Sequence, residues 1–217
     1  MTSSPESATE VLLARTQSPS TAAAASAAQL AWLALALAPG LGSRHILHAV
    51  EQVGSPEQIL ALSLTALESL NFPASAAQAI VEGRARRAAE EEFKKVSKEG
   101  AAILTYADES YPGRLKQIFD PPPVLWVRGD AQLLARYSIA VVGTRHPTPY
   151  GAGMAEVLSR DLSLRGLIIL SGMARGIDTA AHKGALAAGE ALLSSALPTT
   201  SMLTYISAFS RPSEFST

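Results

Sequence analysis

Residues 138–189 constrain the fold more than any other stretch of this 217-residue chain. An apolar run, Ile139, Ala140, Val141 and Val142, stops at Gly143. A short β-branched run bounded by glycine predicts a strand buried on both faces. Turn residues follow up to Gly151, and then Met154, Val157, Leu158 and Leu162 recur at helical spacing. A second apolar run, residues 167–170, ends at Ser171 and Gly172. A second turn leads into an Ala-rich helix over residues 179–188. Strand, loop, helix, strand, loop, helix predicts a parallel sheet with crossover helices.

In open sheets of this kind, ligands sit beyond the carboxyl ends of the strands. Both loops fall there, and each holds glycine and arginine: Gly143, Thr144 and Arg145 in the first, Ser171, Gly172, Arg175 and Gly176 in the second. Glycine lets backbone N–H groups approach a ligand, the following helix start is partly positive, and arginine offers a planar donor fork. This is the chemistry of an anion site, phosphate first among candidates. Turn-making glycines with solvated arginines are the alternative. No Walker loop and no G-x-G-x-x-G occurs, and the second strand ends without the acidic residue that would hold a ribose.

These residues also carry a resemblance. Gly143-Thr144-Arg145, Pro149-Tyr150-Gly151, residues 171–178 and Ala181-His182 are similar to the signature of the DNA-processing protein A family (DprA, also called Smf). The resemblance covers about residues 29–189, with Met173 where the family usually has leucine. It implies an α/β fold. A Rossmann-like parallel sheet is preceded by a small all-helical domain of helix-hairpin-helix or SAM-like type. It also implies a cytoplasmic protein that binds single-stranded DNA and helps load the recombinase RecA in natural transformation. It implies no cofactor, no metal and no enzymatic activity. Homodimers are expected of full-length relatives, and no membrane partner is. The phosphate-binding residues carried over are Gly143, Thr144, Arg145, Ser171, Gly172, Arg175, Gly176 and Lys183, with Tyr150 as a base-stacking or packing residue.

Composition bounds the partners. The formal net charge is −1, so a nucleic-acid site must be local and not a whole-surface field. The chain has no cysteine, which excludes disulfides and thiolate chemistry. The apolar stretch over residues 22–38 follows an acidic start (Glu6, Glu10), unlike a signal peptide, and predicts a soluble helix.

In chain order, residues 1–27 read as a disordered leader rich in Ser, Thr, Ala and Pro. Residues 28–100 read as helical, ending in one long helix over about residues 74–99. The turn Pro39-Gly40-Leu41-Gly42 between two helices resembles a helix-hairpin-helix unit. There, Gly40 and Gly42 would offer N–H groups to a DNA phosphate; a plain interhelix turn is the equal alternative. His45 and His48 lie one helical turn apart without a nearby third ligand, which favours a structural role over a metal. The run from Arg84 to Glu99 pairs opposite charges at i,i+4 and reads as a solvated face. Residues 101–106 and 124–129 read as further strands, placed by the resemblance at the edge of the main sheet.

Residues 101–190 thus read as the first part of a DprA-type Rossmann-like domain, and residues 191–217 as a tail outside the family pattern. With a suitable choice of codons, residues 191–197 can be back-translated and read two bases on as a family-like Thr-Ala-Val-Leu-Gly-Thr. The expectation is therefore a frameshift after about Gly189, and a sheet incomplete at its C-terminal side that lacks a third parallel strand. Two other functions stay open. One is a Rossmann-like enzyme on a phosphorylated nucleotide, for which Asp178 and His182 at i,i+4 would supply acid and base. In the bland version, Asp178 caps its own helix. The other is a non-functional truncated fragment.

Overall fold

The computed structural model describes residues 25–189, 192–196 and 204–209. Most of the expected leader and the remainder of the expected tail lie outside the described residues. The chain is α/β.

Six helices come first: α1 (Ala27–Ala36), α2 (Ser43–Val53), α3 (Pro56–Leu60), α4 (Leu64–Ser69), α5 (Ala74–Val81) and α6 (Arg84–Lys98). Ser26 starts α1 with a capping box. Its hydroxyl accepts from the Gln29 amide, and the Gln29 side chain accepts from the Ser26 amide. Ala31, Trp32, Leu33, Ala34 and Leu35 are all buried, so α1 is apolar around most of its girth and lies central to the layer. The long helix expected over residues 74–99 is two helices. Gly83, with φ of +71°, turns the chain between α5 and α6.

Strand β1 (Ala101–Thr105) pairs antiparallel with β2 (Val124–Gly129), with α7 (Gly113–Lys116) between them in sequence. Alternation along the strands divides their side chains. Ile103, Val124 and Trp126 join the core of α1–α6, and Leu104, Leu125 and Val127 pack on the other face with Tyr111, Leu133 and Ile168. The Trp126 indole N–H donates to Glu92 of α6 at 3.2 Å. One face of β1 and β2 therefore shares a core with the helical layer. Among the described residues, no helix is long and apolar enough to cross a membrane.

The expected alternation then appears: β3 (Ser138–Ala140), α8 (Pro149–Ser163), β4 (Ile168–Ser171), α9 (Ile177–Ala187), β5 (Leu192–Ala196) and β6 (Thr204–Phe209). The six described strands lie in the order β1-β2-β6-β5-β4-β3. Strands β3, β4 and β5 are mutually parallel; β6 runs antiparallel to β5 and parallel to β2.

Four expectations are corrected here. The third parallel strand said to be missing is β5, in register Ile169↔Leu192, Leu170↔Leu193 and Ser171↔Ser194 with β4. Pairing uses backbone donors and acceptors alone, so residues 192–196 join the sheet without apolar periodicity. The sheet is mixed and not wholly parallel, because β6 returns antiparallel and closes the gap to β2. The run at residues 139–142 is not buried on both faces. It forms the edge of the sheet, with Ile139 40% and Val142 68% exposed, whereas Ile168 and Ile169 on β4 are buried. Finally, most of the predicted stripe of α8 points outward: Met154, Val157 and Leu158 are exposed, while Leu162 packs inward against Ile169, Ala181 and Ala185. Its buried face is the small-residue row Ala155, Ser159 and Ser163. The reason is Gly184 on α9. A Cβ there would overlap the carbonyl oxygen of Glu156 and stand 3.0 Å from the Arg160 amide, so the two helices touch backbone to backbone.

Candidate functional site

Strands β3 and β4 end side by side, and their loops meet. The Val141 amide donates to the Leu170 carbonyl at 2.9 Å, and the Ser171 hydroxyl donates to the Val141 carbonyl at 2.7 Å. The first loop runs from Gly143 to Thr148. Thr148 caps α8 by accepting from the Gly151 amide at 3.1 Å, and Pro149 takes the first helical position. Thr144 accepts from the His146 amide at 3.2 Å, which curls the loop around Arg145.

The second loop leans on the first. The Ile177 amide donates to the Thr144 carbonyl at 3.2 Å. A Cβ at Gly143 would stand 2.8 Å from the Ile177 side chain. Gly176, at φ of +89°, lies directly against the backbone of Thr144 and Arg145. These two glycines thus have a packing role: they let two loops join into one surface.

Asp178 organises the second loop. It is buried, and its Oδ2 accepts from the amides of Gly172 at 3.0 Å and Ala174 at 3.4 Å. It therefore holds the turn in front of its helix and does not cap that helix; the N-cap is Gly176, which has no side-chain acceptor. Gly172 has no room for a side chain, since a Cβ would lie 2.9 Å from Asp178 Oδ2. Met173, between these two amides, is held at φ of +57°, a left-handed conformation uncommon outside glycine.

Of the residues singled out from the sequence, Ser171 and Gly172 spend their polar groups inside this network. Arg145, Arg175 and Lys183 remain exposed. None of the three is in a salt bridge among the described residues. Tyr150, in the first turn of α8, is 78% exposed, so its ring is open to stacking and takes no part in packing. His182 is half-buried, with Nε2 lacking a hydrogen-bond partner among the described residues. Burial lowers its pKa from the ordinary 6.5, and the Asp178 carboxylate pulls it partly back, so the imidazole is neutral at pH 7. Gly40 and Gly42 stand elsewhere, in the turn between α1 and α2. Gly40 has φ of +74°, and Gly42 is the N-cap of α2 without a side-chain acceptor.

Sequence reasoning missed the Thr148 cap, although Thr-Pro ahead of a helix is a readable signal. It also missed the target of Asp178, which no local pattern marks.

Residues 102–203 match the model of the DNA recombination-mediator protein A family, so the family pattern runs on beyond Gly189 and the tail expected to lie outside it is part of it as far as residue 203. The chain is 38% identical over 91 residues to DNA processing protein DprA of Bacillus subtilis, a match that covers 42% of this chain and 31% of the relative. It is 43% identical over 82 residues to the DprA of Streptococcus pneumoniae, covering 38% and 29%. The chain thus spans less than a third of the length of these curated relatives. The X-ray structure of DNA processing protein A from Streptococcus pneumoniae aligns with a TM-score of 0.59 at 24% identity. It covers 82% of this chain and 65% of that one, so the fold is shared.

Proposed function

Because this chain belongs to the DprA/Smf family of DNA-processing proteins, we propose that it binds single-stranded DNA at the paired loops after β3 and β4. The observation that carries this reading is the exposure of Arg145 and Arg175 on two loops locked together by Gly143, Gly176 and the Ile177–Thr144 hydrogen bond. Two unpaired guanidinium groups on a fixed base present a phosphodiester with preorganised donors. Lys183 adds charge from α9, and Tyr150 offers a ring to a neighbouring base. Ser171, Gly172 and Gly176 act behind them as scaffold.

A binding role fits better than a catalytic one. The two groups a nucleotide-processing enzyme would need are turned inward. Asp178 is committed to the Gly172 and Ala174 amides, and His182 is half-buried with its Nε2 enclosed by protein. In this reading, residues 101–190 carry the DNA site and residues 28–100 form the helical layer that supports it. By family resemblance, the bound strand would be handed to a RecA-type recombinase during DNA uptake in the cytoplasm; homodimers are expected only of full-length relatives.

The test is fluorescence anisotropy with a labelled single strand and its duplex. The proposal predicts binding to the single strand that weakens steeply with salt. Equal or stronger binding to the duplex contradicts it.

A further inference from the structure

The described residues hold a second concentration of cations and aromatic rings, away from the glycine–arginine loops. A cleft of about 690 Å³ opens between α2 and the chain that joins α7 to β2. Arg44, His45 and His48 line it from α2, and Tyr106 and Phe119 line it from the other side. The Arg44 guanidinium carbon stands 4.2 Å from the centroid of the Phe119 ring. Lys116 Nζ stands 4.8 Å from the ring of Tyr106 and 5.5 Å from that of Tyr111. Arg114 lies 4.7 Å from the ring of Tyr137. Tyr137 precedes β3 and the Gly143 loop follows it, so this last pair stands at the opposite end of the strand from Arg145.

Phe119 is the most telling of these. It is 81% exposed although fully apolar, and the Arg44 guanidinium stacks over one face of the ring. An aromatic face backed by a guanidinium is a stacking platform, and every nucleobase has a π-face to place on it. Arg44 sits in the first turn of α2, whose Gly42 cap supplies no side-chain acceptor, so the helix dipole adds to its charge. Of the side chains that line the cleft, Glu51 is the carboxylate, and it faces His48 at 3.8 Å.

We infer that this cleft is a second binding site for a single-stranded nucleic acid, with a base stacked on the open face of Phe119 and a flanking phosphate met by Arg44. The ligand class rests on the single-stranded DNA reading above; the site rests on different residues. Repeated cation–aromatic pairs supply both elements such sites combine, charge for the backbone and rings for the bases. An acidic protein would use the charges and leave the exposed ring unexplained.

The experiment is anisotropy with an oligothymidylate of roughly 20 nucleotides, together with ultraviolet cross-linking and peptide mapping. The whole chain is compared with Phe119→Ala, Arg44→Gln and Arg145→Ala. Both cleft residues are exposed, so their variants should keep the thermal midpoint of the parent. The inference predicts affinity about tenfold weaker in Phe119→Ala, a shallower salt dependence in Arg44→Gln, and a cross-link on the peptide that carries Phe119. Binding unchanged in both cleft variants, but weakened in Arg145→Ala, overturns the inference and leaves the proposed function standing. Binding lost in Phe119→Ala but intact in Arg145→Ala supports the cleft and counts against the loops. No binding by the parent chain overturns both.

Discussion

Gly176 lies against Thr144 so closely that a methyl group built on it would overlap the Thr144 carbonyl oxygen. That oxygen already accepts from the Ile177 amide at 3.2 Å. Gly176→Ala must therefore push the two loops apart while also forcing alanine to a φ of +89°. The expected cost is about 3 kcal/mol, read from urea denaturation. Single-stranded DNA binding should fall with it, because Arg145 and Arg175 lose their fixed separation. A variant as stable as the parent would show that the loops do not pack in this way.

The crossing of α8 and α9 gives a second expectation. Alanine is the better helix former by about 1 kcal/mol, so Gly184→Ala would stabilise an isolated α9. Here the added methyl meets the backbone of Glu156 and Arg160, which cannot swing aside as a side chain would. Overpacking wins, and a net loss of roughly 2 kcal/mol is expected by the same measurement. A net gain would place α8 farther from α9.

Ser163 offers the reverse. Its hydroxyl is fully buried on the packed face of α8 and lacks a hydrogen-bond partner among the described residues. Ser163→Ala removes an unsatisfied polar group and leaves the packing nearly unchanged. Stability should rise by about 1 kcal/mol. A drop in the denaturation midpoint would reveal a partner for the hydroxyl.

The pairing of loops was legible in the sequence because short apolar runs that end in glycine, each followed by a helical pattern, have few other solutions. What each glycine does was not. The same residues read as ligand-facing from the sequence, while Gly143 and Gly176 are filled by Ile177 and Thr144 in space. The edge position of β3 was illegible because Ile139 and Val142 look the same whether a neighbour strand covers them or not. Strand β5 was hidden because backbone pairing leaves no mark on side-chain spacing. The Arg44–Phe119 stack joins residues far apart in the chain, where no local pattern reaches.

His182 sets a pH expectation. Its native pKa is lowered by burial, with Asp178 opposing, while the unfolded chain keeps the ordinary 6.5. Between the lowered native value and 6.5 the unfolded state binds more protons, so stability rises with pH there. The contribution is full above about pH 6.5 and is lost as pH falls through the native value. Thermal midpoints taken from pH 7.5 down to 5 should fall less in His182→Gln than in the parent. Parallel curves for the two chains would mean the imidazole is not desolvated.

The central claim is that Arg145 and Arg175 hold DNA phosphates, and the salt dependence of binding reads this directly. The logarithm of affinity for a single strand should fall linearly with the logarithm of salt concentration. Arg145→Ala and Arg175→Ala should each make that slope shallower by about 0.7, with similar losses for every base composition, since a phosphate contact carries no sequence information. An unchanged slope and affinity in both variants would contradict the account and remove these loops from the DNA site.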